Sequence, residues 1–202
     1  MTKPKKPRYT TPAGVAQYPW LNKPDTKFNP DGEYKVNLEV DSESAQALVT
    51  FLDEQFAQAV AQAKKANPGK KIKEGSPGYE VNEETGKVTF KFKTKAKVTT
   101  KSGDTFDQKV ALFDAKGKPL SPAPNIGGGS KIKVAFEVMP YYTSMVGAGL
   151  SLRVKAAQII ELVEFTGGGN AESYGFGEEE GYESKAQQND FTDETEEETE
   201  DF

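Results

Sequence analysis

The stretch KVTFKFKTKAKV, residues 87–98, decides the fold, because apolar and charged side chains alternate along it almost without a break. Successive side chains of a β-strand point to opposite faces, so this pattern predicts a strand with one buried and one wetted face. The predicted buried face carries Val88, Phe90, Phe92, Thr94, Ala96 and Val98. The opposite face carries Lys87, Lys91, Lys93, Lys95 and Lys97.

The same alternation recurs on both sides of this stretch. After the turn TKSGDT, in which Gly103 supplies a left-handed backbone, residues 105–113 are predicted to return as an antiparallel partner strand. Three further strands are predicted at Glu33–Val40, at residues 130–138 and at residues 150–165, the last with a register change near Ala157. Residues 139–149, MPYYTSMVGAG, are predicted to form a loop.

One helix is predicted directly after the first of these strands. Apolar residues recur there at spacings of three and four, which is the period of a helix with one buried face. They are Ala45, Leu48, Val49, Leu52, Phe56, Ala59, Val60 and Ala63. Asp41 or Ser42 is the predicted N-cap, and Asn67-Pro68-Gly69 ends the helix.

Five strands and one early helix predict a mainly-β fold. Strands that bury only one face favour closure into a five-stranded OB-type barrel, which removes exposed edges, and an open α+β sheet is the alternative. The predicted organisation is a basic, aromatic N-terminal arm packed on the barrel at residues 1–30, the barrel itself at residues 31–166, and a flexible glycine-rich linker with a disordered acidic tail at residues 167–202.

The charge is unevenly distributed along the chain. Residues 1–170 carry 25 Lys and Arg against 18 Asp and Glu, a net charge of +7, whereas residues 171–202 carry one against 13, a net charge of −12. A basic body favours an anionic partner such as a nucleic acid. The start of the chain lacks the apolar run of a signal peptide and no stretch is long enough to span a membrane, so a cytosolic protein is expected.

Outward positions on four predicted strands are cationic. If these strands are neighbours, their lysines form one continuous positive track for a phosphate backbone. Solubilising lysines are the alternative, but wetted faces usually mix both signs, so a shared bias on four strands favours a binding face. The predicted backbone contacts are Lys91, Lys93, Lys95, Lys109, Lys131, Lys133, Arg153 and Lys155, together with Lys3 of the arm.

Single strands of nucleic acid also stack their bases on aromatic rings. Phe90, Phe92 and Phe136 share the parity of buried positions and are predicted to be core residues. Rings outside the predicted strand faces are the stacking candidates, although each is equally able to pack under a loop. These candidates are Tyr9, Tyr18, Trp20, Tyr141 and Tyr142.

No catalytic site, metal site or cofactor is predicted. The chain has no histidine and no cysteine, which removes imidazole catalysis, thiolate nucleophiles and Cys/His zinc sites. The glycines of residues 127–131, GGGSK, lack the spacing of a phosphate-binding loop and precede a strand instead of a helix. A magnesium-dependent nuclease built on Asp104, Asp107 and Asp114 is the least favoured alternative, since turn formation explains these residues.

Several segments of the chain form a distinctive set. They are NIGGGSKIKVAFEVMPYY, VGAGLSLRVKAAQIIELVEF and an acidic tail that ends in Asp201 and Phe202, preceded by WLNKPDT, GEYKVNLEV and TFKFK. In these segments and their order the chain resembles the replication single-stranded DNA-binding proteins of podovirus-like phages. The resemblance implies an OB fold with an early helix and sequence-tolerant binding of single-stranded DNA in replication, recombination and repair. It also implies a homodimer, and contacts of the tail with the phage DNA polymerase and helicase-primase, in the cytoplasm of the infected bacterial host.

The acidic tail is predicted to act twice. In this hypothesis it mimics a nucleic-acid strand and competes with DNA for the basic face, and once displaced it docks a replication partner. The predicted docking residues are Asp193, Glu194, Glu196, Glu197, Glu198, Glu200, Asp201 and Phe202. An acidic-tailed interaction or assembly protein that does not bind DNA is the alternative.

Overall fold

The structure is a computed structural model that describes residues 6–100 and 102–164. Within these residues the chain forms ten strands and one helix. In chain order they are β1 (Tyr9–Thr10), β2 (Gly14–Asp25), β3 (Glu33–Val40), α1 (Ser42–Ala66), β4 (Tyr79–Val81), β5 (Val88–Lys95), β6 (Lys97–Thr99), β7 (Thr105–Asp107), β8 (Ala111–Phe113), β9 (Lys131–Thr143) and β10 (Gly147–Glu161). None of the described helical residues forms a segment long and apolar enough to cross a membrane.

Five strands close into a circuit of hydrogen-bonded neighbours in the order β9–β2–β3–β5–β10–β9. All of these pairs are antiparallel except β5 and β10, which are parallel and share one paired position, Phe92 with Leu152. A five-stranded circuit with one sparsely paired seam is a partly open barrel of the OB type. The mainly-β prediction, with one helix after the first strands, is confirmed.

Short strands extend this barrel at its edges. β1 pairs with β9, β4 pairs with β5, and β8 pairs in parallel with β10, whereas β6 and β7 form a separate two-stranded hairpin. The predicted strand over residues 87–98 therefore ends at Lys95, and the predicted strand over residues 105–113 divides into β7 and β8. The turn prediction holds, because Gly103 has a φ of +92° between β6 and β7.

The strand β2 was not predicted from the sequence, and it moves the start of the barrel from residue 31 to Gly14. Its buried residues Ala16 and Leu21 are five positions apart, an odd number that strict alternation does not allow. Between the pairs Gln17–Asn37 and Trp20–Lys35, β2 contains one residue more than β3. This bulge breaks the period of two that sequence analysis relies on.

The helix α1 covers one side of the barrel, packing on β9 and β10. Asp41 is its N-cap, and its carboxylate accepts a hydrogen bond of 2.9 Å from the Ser44 amide. The predicted apolar stripe faces the barrel and is buried or partly buried, with Leu52 in the main core and Val60 and Ala63 in a second cluster beside Ile72 and Ala148.

The barrel interior is aromatic, as the alternation in β5 predicts. Phe90, Phe92 and Phe136 are at most 1% exposed, and the rings of Phe92 and Phe136 lie 5.1 Å apart. Because these rings fill the core, the lysines between them must point outward. The three rings are thereby confirmed as core residues.

Candidate nucleic-acid interface

The outer face of β2, β3 and β5 brings lysines and a tryptophan into register. We call this surface the lysine face and define it by Trp20, Lys35, Lys91, Lys93 and Lys95. Directly opposite residues of antiparallel strands share a face. Trp20 is opposite Lys35, and Lys35 is opposite Lys93, so these three side chains form one row across three strands.

Ion pairs divide the lysine face into compensated and uncompensated cations. Lys35 Nζ lies 2.5 Å from Asp25 Oδ2, and Lys91 Nζ lies 2.5 Å from Glu80 Oε1. Lys93 and Lys95 have no carboxylate of the described residues within 4.0 Å. Lys95 is directly opposite Glu33 in the ladder, whereas Lys93 is opposite Lys35, so Lys93 is the ammonium group of this face most available to phosphate.

Asp25 is the acid that restrains Lys35. It is only 8% exposed, and the hydrogen bonds it accepts from the Lys35 ammonium and from the Lys27 backbone N–H hold the pKa of its carboxyl below the ordinary value. Lys35 is thereby fixed at the centre of the row instead of extending freely into solvent.

Two loops between barrel strands carry exposed apolar side chains. The β2–β3 loop, residues 26–32, holds Phe28, which is 84% exposed, with Lys27 Nζ 5.4 Å from its ring centre. The β9–β10 loop, residues 144–146, holds Met145, which is 86% exposed. In OB folds the face of the second and third barrel strands and the loops joining strands one–two and four–five bind oligonucleotides, and here these are β3, β5 and the two loops just named.

A second group of cations lies on β9 and β10, and two of its four members form ion pairs. Lys131 pairs with Glu161 at 3.6 Å, and Glu137 lies between Lys155 at 3.9 Å and Arg8 at 3.7 Å. Arg153 and Lys133 have no carboxylate of the described residues within ion-pairing distance. Arg153 is nevertheless directly opposite Glu137 in the ladder.

Three of the four strands predicted to carry the lysine track are neighbours, because β10, which carries Arg153 and Lys155, pairs with both β5 and β9. The lysines of β5 and β9 are not directly opposite one another, since β10 lies between them on one side and β2 and β3 lie between them on the other. Lys109 is exposed but lies in the connection between β7 and β8 instead of on a strand. Long-range pairing in a closed barrel decides which cationic strands are adjacent, and the continuous track stays a prediction.

Tyr9 is partly buried and packs against the core, which corrects its assignment as a ring outside the strand faces. Its ring lies 4.5 Å from that of Phe51 on the helix and 5.9 Å from that of Phe136. The pairing of β1 with β9 brings it there.

Tyr141 and Tyr142 lie in β9, not in a loop, because β9 continues to Thr143 and pairs with the start of β10. Tyr141 is opposite Gly149, and a side chain added at Gly149 would come within 2.6 Å of the Tyr141 ring. The ring thus covers the backbone of that glycine. Tyr142 packs beside Phe56 against the second apolar cluster. Both rings are half-buried.

Tyr18 and Trp20 lie at the β2 bulge. Tyr18 is 77% exposed and has a φ of +50°, a left-handed conformation that bulky residues rarely adopt. Trp20 is half-buried on the lysine face. The structure thus holds one ring out in solvent and the other beside Lys35.

Some predicted site residues lie outside the described part of the chain. They are Lys3 and the tail residues Asp193, Glu194, Glu196, Glu197, Glu198, Glu200, Asp201 and Phe202. Two residues of the interface were missed from the sequence. Lys35 shows the same alternation as the lysines of β5, a signal that was present but not used, whereas the exposure of Phe28 has no sequence signature.

Two of the three acidic residues considered for a nuclease form turns, and the third, Asp107, lies in β7 opposite Lys97. Asp114 accepts hydrogen bonds from the backbone N–H groups of Lys116 and Lys118, and Asp104 accepts a hydrogen bond from the Ser102 hydroxyl. Among the described residues no three acidic groups lie close enough together to hold a metal ion.

Comparison with known proteins places this geometry in context. The family model described as single-stranded DNA-binding protein, bacteriophage T7, matches residues 13–162. The single-stranded DNA-binding protein of Enterobacteria phage T3 is 36% identical over 191 residues, covering 83% of this chain and 82% of that protein. The corresponding protein of Escherichia phage T7 is 34% identical over 183 residues, covering 79% and 78%.

Solved structures show the same fold. The crystal structure of gp2.5, a single-stranded DNA-binding protein encoded by bacteriophage T7, matches with a TM-score of 0.72 and 32% identity, covering 90% of this chain and all of that one. A bacteriophage Enc34 single-stranded DNA-binding protein in complex with single-stranded DNA matches with a TM-score of 0.56 at 13% identity, covering 79% and 89%. The second likeness concerns the fold alone. The matches confirm the predicted family resemblance and the prediction of a binding protein instead of an enzyme.

Proposed function

Because the chain belongs to the family of bacteriophage T7 single-stranded DNA-binding proteins, we propose that it binds single-stranded DNA with little regard to sequence, on the lysine face. The observation that carries this proposal is the row formed by Trp20, Lys35 and Lys93 across β2, β3 and β5. It places an aromatic ring beside two cations, the combination that single strands require.

The lysines supply affinity for the backbone. Lys93 and Lys95 contact phosphates directly, since neither forms an ion pair with a described carboxylate, and each phosphate neutralised releases counterions. Lys91 exchanges its carboxylate partner for phosphate on binding, whereas Lys35 stays paired with the buried Asp25. An exposed ion pair such as Lys91–Glu80 is worth only about 0–1 kcal/mol, so this exchange costs little.

Aromatic rings supply the contacts to bases. Tyr141, Tyr18 and Trp20 present ring surface to solvent, and Phe28 extends from the β2–β3 loop. Stacking on a ring is worth about 1–3 kcal/mol per base and accepts any base, because every base has a π-face. Backbone contacts combined with stacking explain binding without sequence preference.

One titration separates this function from its two rivals. Labelled oligo(dT) and duplex DNA are added to the full-length protein, with and without magnesium, at several salt concentrations. We expect tighter binding of oligo(dT) than of duplex and a linear fall of log affinity with log salt, with a slope of about −0.7 per phosphate neutralised. Absence of binding would favour a protein-interaction role, and magnesium-dependent cleavage would favour a nuclease.

The acidic tail is proposed to compete with DNA and to recruit replication partners, the phage DNA polymerase and helicase-primase. The support is its charge of −12 opposite a body of +7. A flexible segment of this length spans roughly 30 Å, and a body of 170 residues has a radius of gyration of about 15 Å. The tail therefore reaches the lysine face of its own or a second subunit, at an effective concentration on the order of millimolar.

A chain ending at Gly169 tests this proposal. It should bind oligo(dT) more tightly than the full-length protein and discriminate less against duplex. Removal of Phe202 alone should weaken partner binding more than DNA binding, and equal losses would remove the docking role of the ring. Sedimentation of both chains tests the proposed homodimer, which should depend on the tail.

The proposed setting is DNA replication, recombination and repair in the cytoplasm of the infected bacterial host. Exposed single strands arise in all three processes, and a binder that contacts backbone and bases without preference protects any of them. The chain's role there is binding, without catalysis.

A further inference from the structure

A groove lies beside the lysine face, and neither the packing of the core nor the pairing of the strands requires it. It has a volume of about 580 Å³ and runs between the bulged part of β2 and the glycines that precede β9. Tyr18 and Trp20 lie on one wall, and Asn125 and Gly128 lie on the other. A hydrogen bond of 2.8 Å from Asn22 to Asn125 joins the two walls. The volume of the groove falls within the range of small-ligand sites.

Gly128 is the most informative residue of this groove, because the fold does not require a glycine there. Gly129 has a φ of +93°, which favours glycine, and Gly127 is buried. Gly128 has no positive φ, and a Cβ added to it would meet only the Ala16 carbonyl oxygen, 3.9 Å away. Without a side chain, Gly128 leaves its main chain open to close approach by another molecule.

The polar groups of the groove are suited to the edge of a heterocycle. The Asn125 side chain uses its carbonyl to accept the bond from Asn22, and the Gln17 side chain uses its amide nitrogen to donate to Glu39. Among the described residues no partner is found for the Asn125 amide nitrogen or for the Gly128 backbone N–H. Donors and an acceptor are thus available beside apolar, aromatic walls.

We propose that this groove holds one unstacked nucleobase of the bound single strand, clamped by Trp20 and Tyr18 against the glycine segment at Gly128. The inference rests on the proposed function and adds a specific subsite to it. A nucleobase is the occupant that fits, since it is flat, aromatic and polar only at its edge. Its phosphates then run onto the adjacent row, where Trp20 is opposite Lys35. The bulge and the unusual backbone of Tyr18 are the means by which β2 forms the wall.

Trp20 is the single tryptophan of the chain, so its fluorescence reports on the groove directly. The full-length protein is titrated with an oligo(dT) of about 15 nucleotides, within the span of one OB domain, and with a matched strand in which every base is replaced by an abasic sugar. We expect oligo(dT) to quench Trp20 strongly and the abasic strand to bind more weakly with little quenching.

Gly128→Val fills the groove and is the central variant. It should lower oligo(dT) affinity on the order of tenfold and abolish the quenching, while abasic-strand affinity stays unchanged. Ala123→Val places a valine at an exposed position of the same connection, outside the groove, and should change nothing. Tyr18→Asn provides a second variant that removes the ring. Because asparagine tolerates the left-handed backbone, this variant should keep or raise the melting temperature while weakening the binding of oligo(dT).

The outcomes separate the two proposals. If the unaltered protein binds neither strand, the proposed function itself fails. If it binds oligo(dT) but Gly128→Val and Tyr18→Asn retain full affinity and quenching, the groove is not a base site and only this inference is overturned. Equal losses for oligo(dT) and the abasic strand would likewise overturn it, since a base site requires a base.

Discussion

Trp20 lies directly opposite Lys35 across the β2–β3 ladder, on the outer face of the barrel. The bulge at Tyr18 creates this relationship, because one added residue in β2 changes which side chains face outward beyond it. Lys35 is in turn opposite Lys93. If single-stranded DNA binds on this row, the contributions of charge and of ring stacking to affinity can be measured separately from the stability of the fold.

Lys93 should contribute more to DNA affinity than Lys91, although both lie on the outer face of β5. Lys91 already pairs with Glu80 at 2.5 Å, and Lys93 has no described carboxylate partner. We expect Lys93→Gln to reduce affinity for oligo(dT) several-fold and to reduce the steepness of the salt dependence by about 0.7. Fluorescence titrations across a range of salt concentrations measure both quantities.

The comparison variants for this expectation are Lys91→Gln and Lys116→Gln. Lys91→Gln should have a smaller effect in the same direction. Lys116 is exposed in the turn after β8, away from the lysine face, and its replacement should leave affinity and salt dependence unchanged. Equal effects at all three positions would mean that net charge, and not the row, governs binding.

Asp25→Asn should strengthen DNA binding, because it removes the carboxylate that holds Lys35. One additional phosphate contact predicts a salt dependence steeper by about 0.7 and an affinity higher by roughly threefold at low salt. Asp31→Asn removes the same charge from the nearby exposed loop and is the matched control. The same affinity gain in both variants would assign the effect to general charge.

The stability of Asp25→Asn should depend less on acidic pH than that of the unaltered protein. The Lys35 ammonium and the Lys27 amide lower the pKa of Asp25 in the folded chain. A lowered folded pKa contributes stability that is present above the ordinary value of 3.8 and is lost as pH falls through the folded pKa. Melting temperatures between pH 2 and 5 (roughly this acid range) should therefore fall less steeply for Asp25→Asn than for the unaltered protein.

Tyr141 and Tyr142 should respond differently to truncation, although they are neighbours in β9. Tyr142 packs against the cluster of Val60, Ala63 and Ile72, so Tyr142→Ala should destabilise the fold by about 1–2 kcal/mol. Tyr141 covers Gly149 at the surface, and Tyr141→Ala should weaken oligo(dT) binding about tenfold with an unchanged salt slope. Urea unfolding and DNA titration of both variants measure the difference.

Tyr141→Phe keeps the ring and is the control for stacking. It should retain most of the affinity that Tyr141→Ala loses. A loss as large as that of the alanine variant would show that the hydroxyl, and not the ring face, makes the contact.

Tyr79 should make the fold sensitive to alkali. Burial, followed by the 2.6 Å hydrogen bond that its hydroxyl donates to Asp53, raises the pKa of Tyr79 from 10.0 to about 12. The unfolded chain therefore loses the Tyr79 proton at a lower pH than the folded chain does. The contribution of Tyr79 to the stability of the fold is thus complete below pH 10 and is lost as pH rises from 10 towards 12. Urea midpoints of Tyr79→Phe should fall less over this range than those of the unaltered protein. Tyr18→Phe, at an exposed ring, should leave the alkaline loss in place.

Local patterns determined much of the architecture. Residues 88–95 specify their own faces, because Phe90 and Phe92 at alternate positions can only be buried if Lys91 and Lys93 are not. The helix, its Asp41 cap and its apolar stripe follow from periodicity and capping over adjacent residues. The division into a basic body and an acidic tail is a property of composition. The GGGSK segment and the sequences around it were enough to indicate the family.

Tertiary structure alone decided which of these faces meet. Pairing between distant strands places Lys35 beside Lys93, separates both from Lys131, and turns Tyr141 from a loop residue into a cross-strand partner of Gly149. The bulge in β2 hid a barrel strand from a period-two analysis and produced the groove at Gly128. The physical reason is that side-chain alternation is set within a few residues, whereas register and barrel order depend on hydrogen bonds between segments that are remote in the sequence.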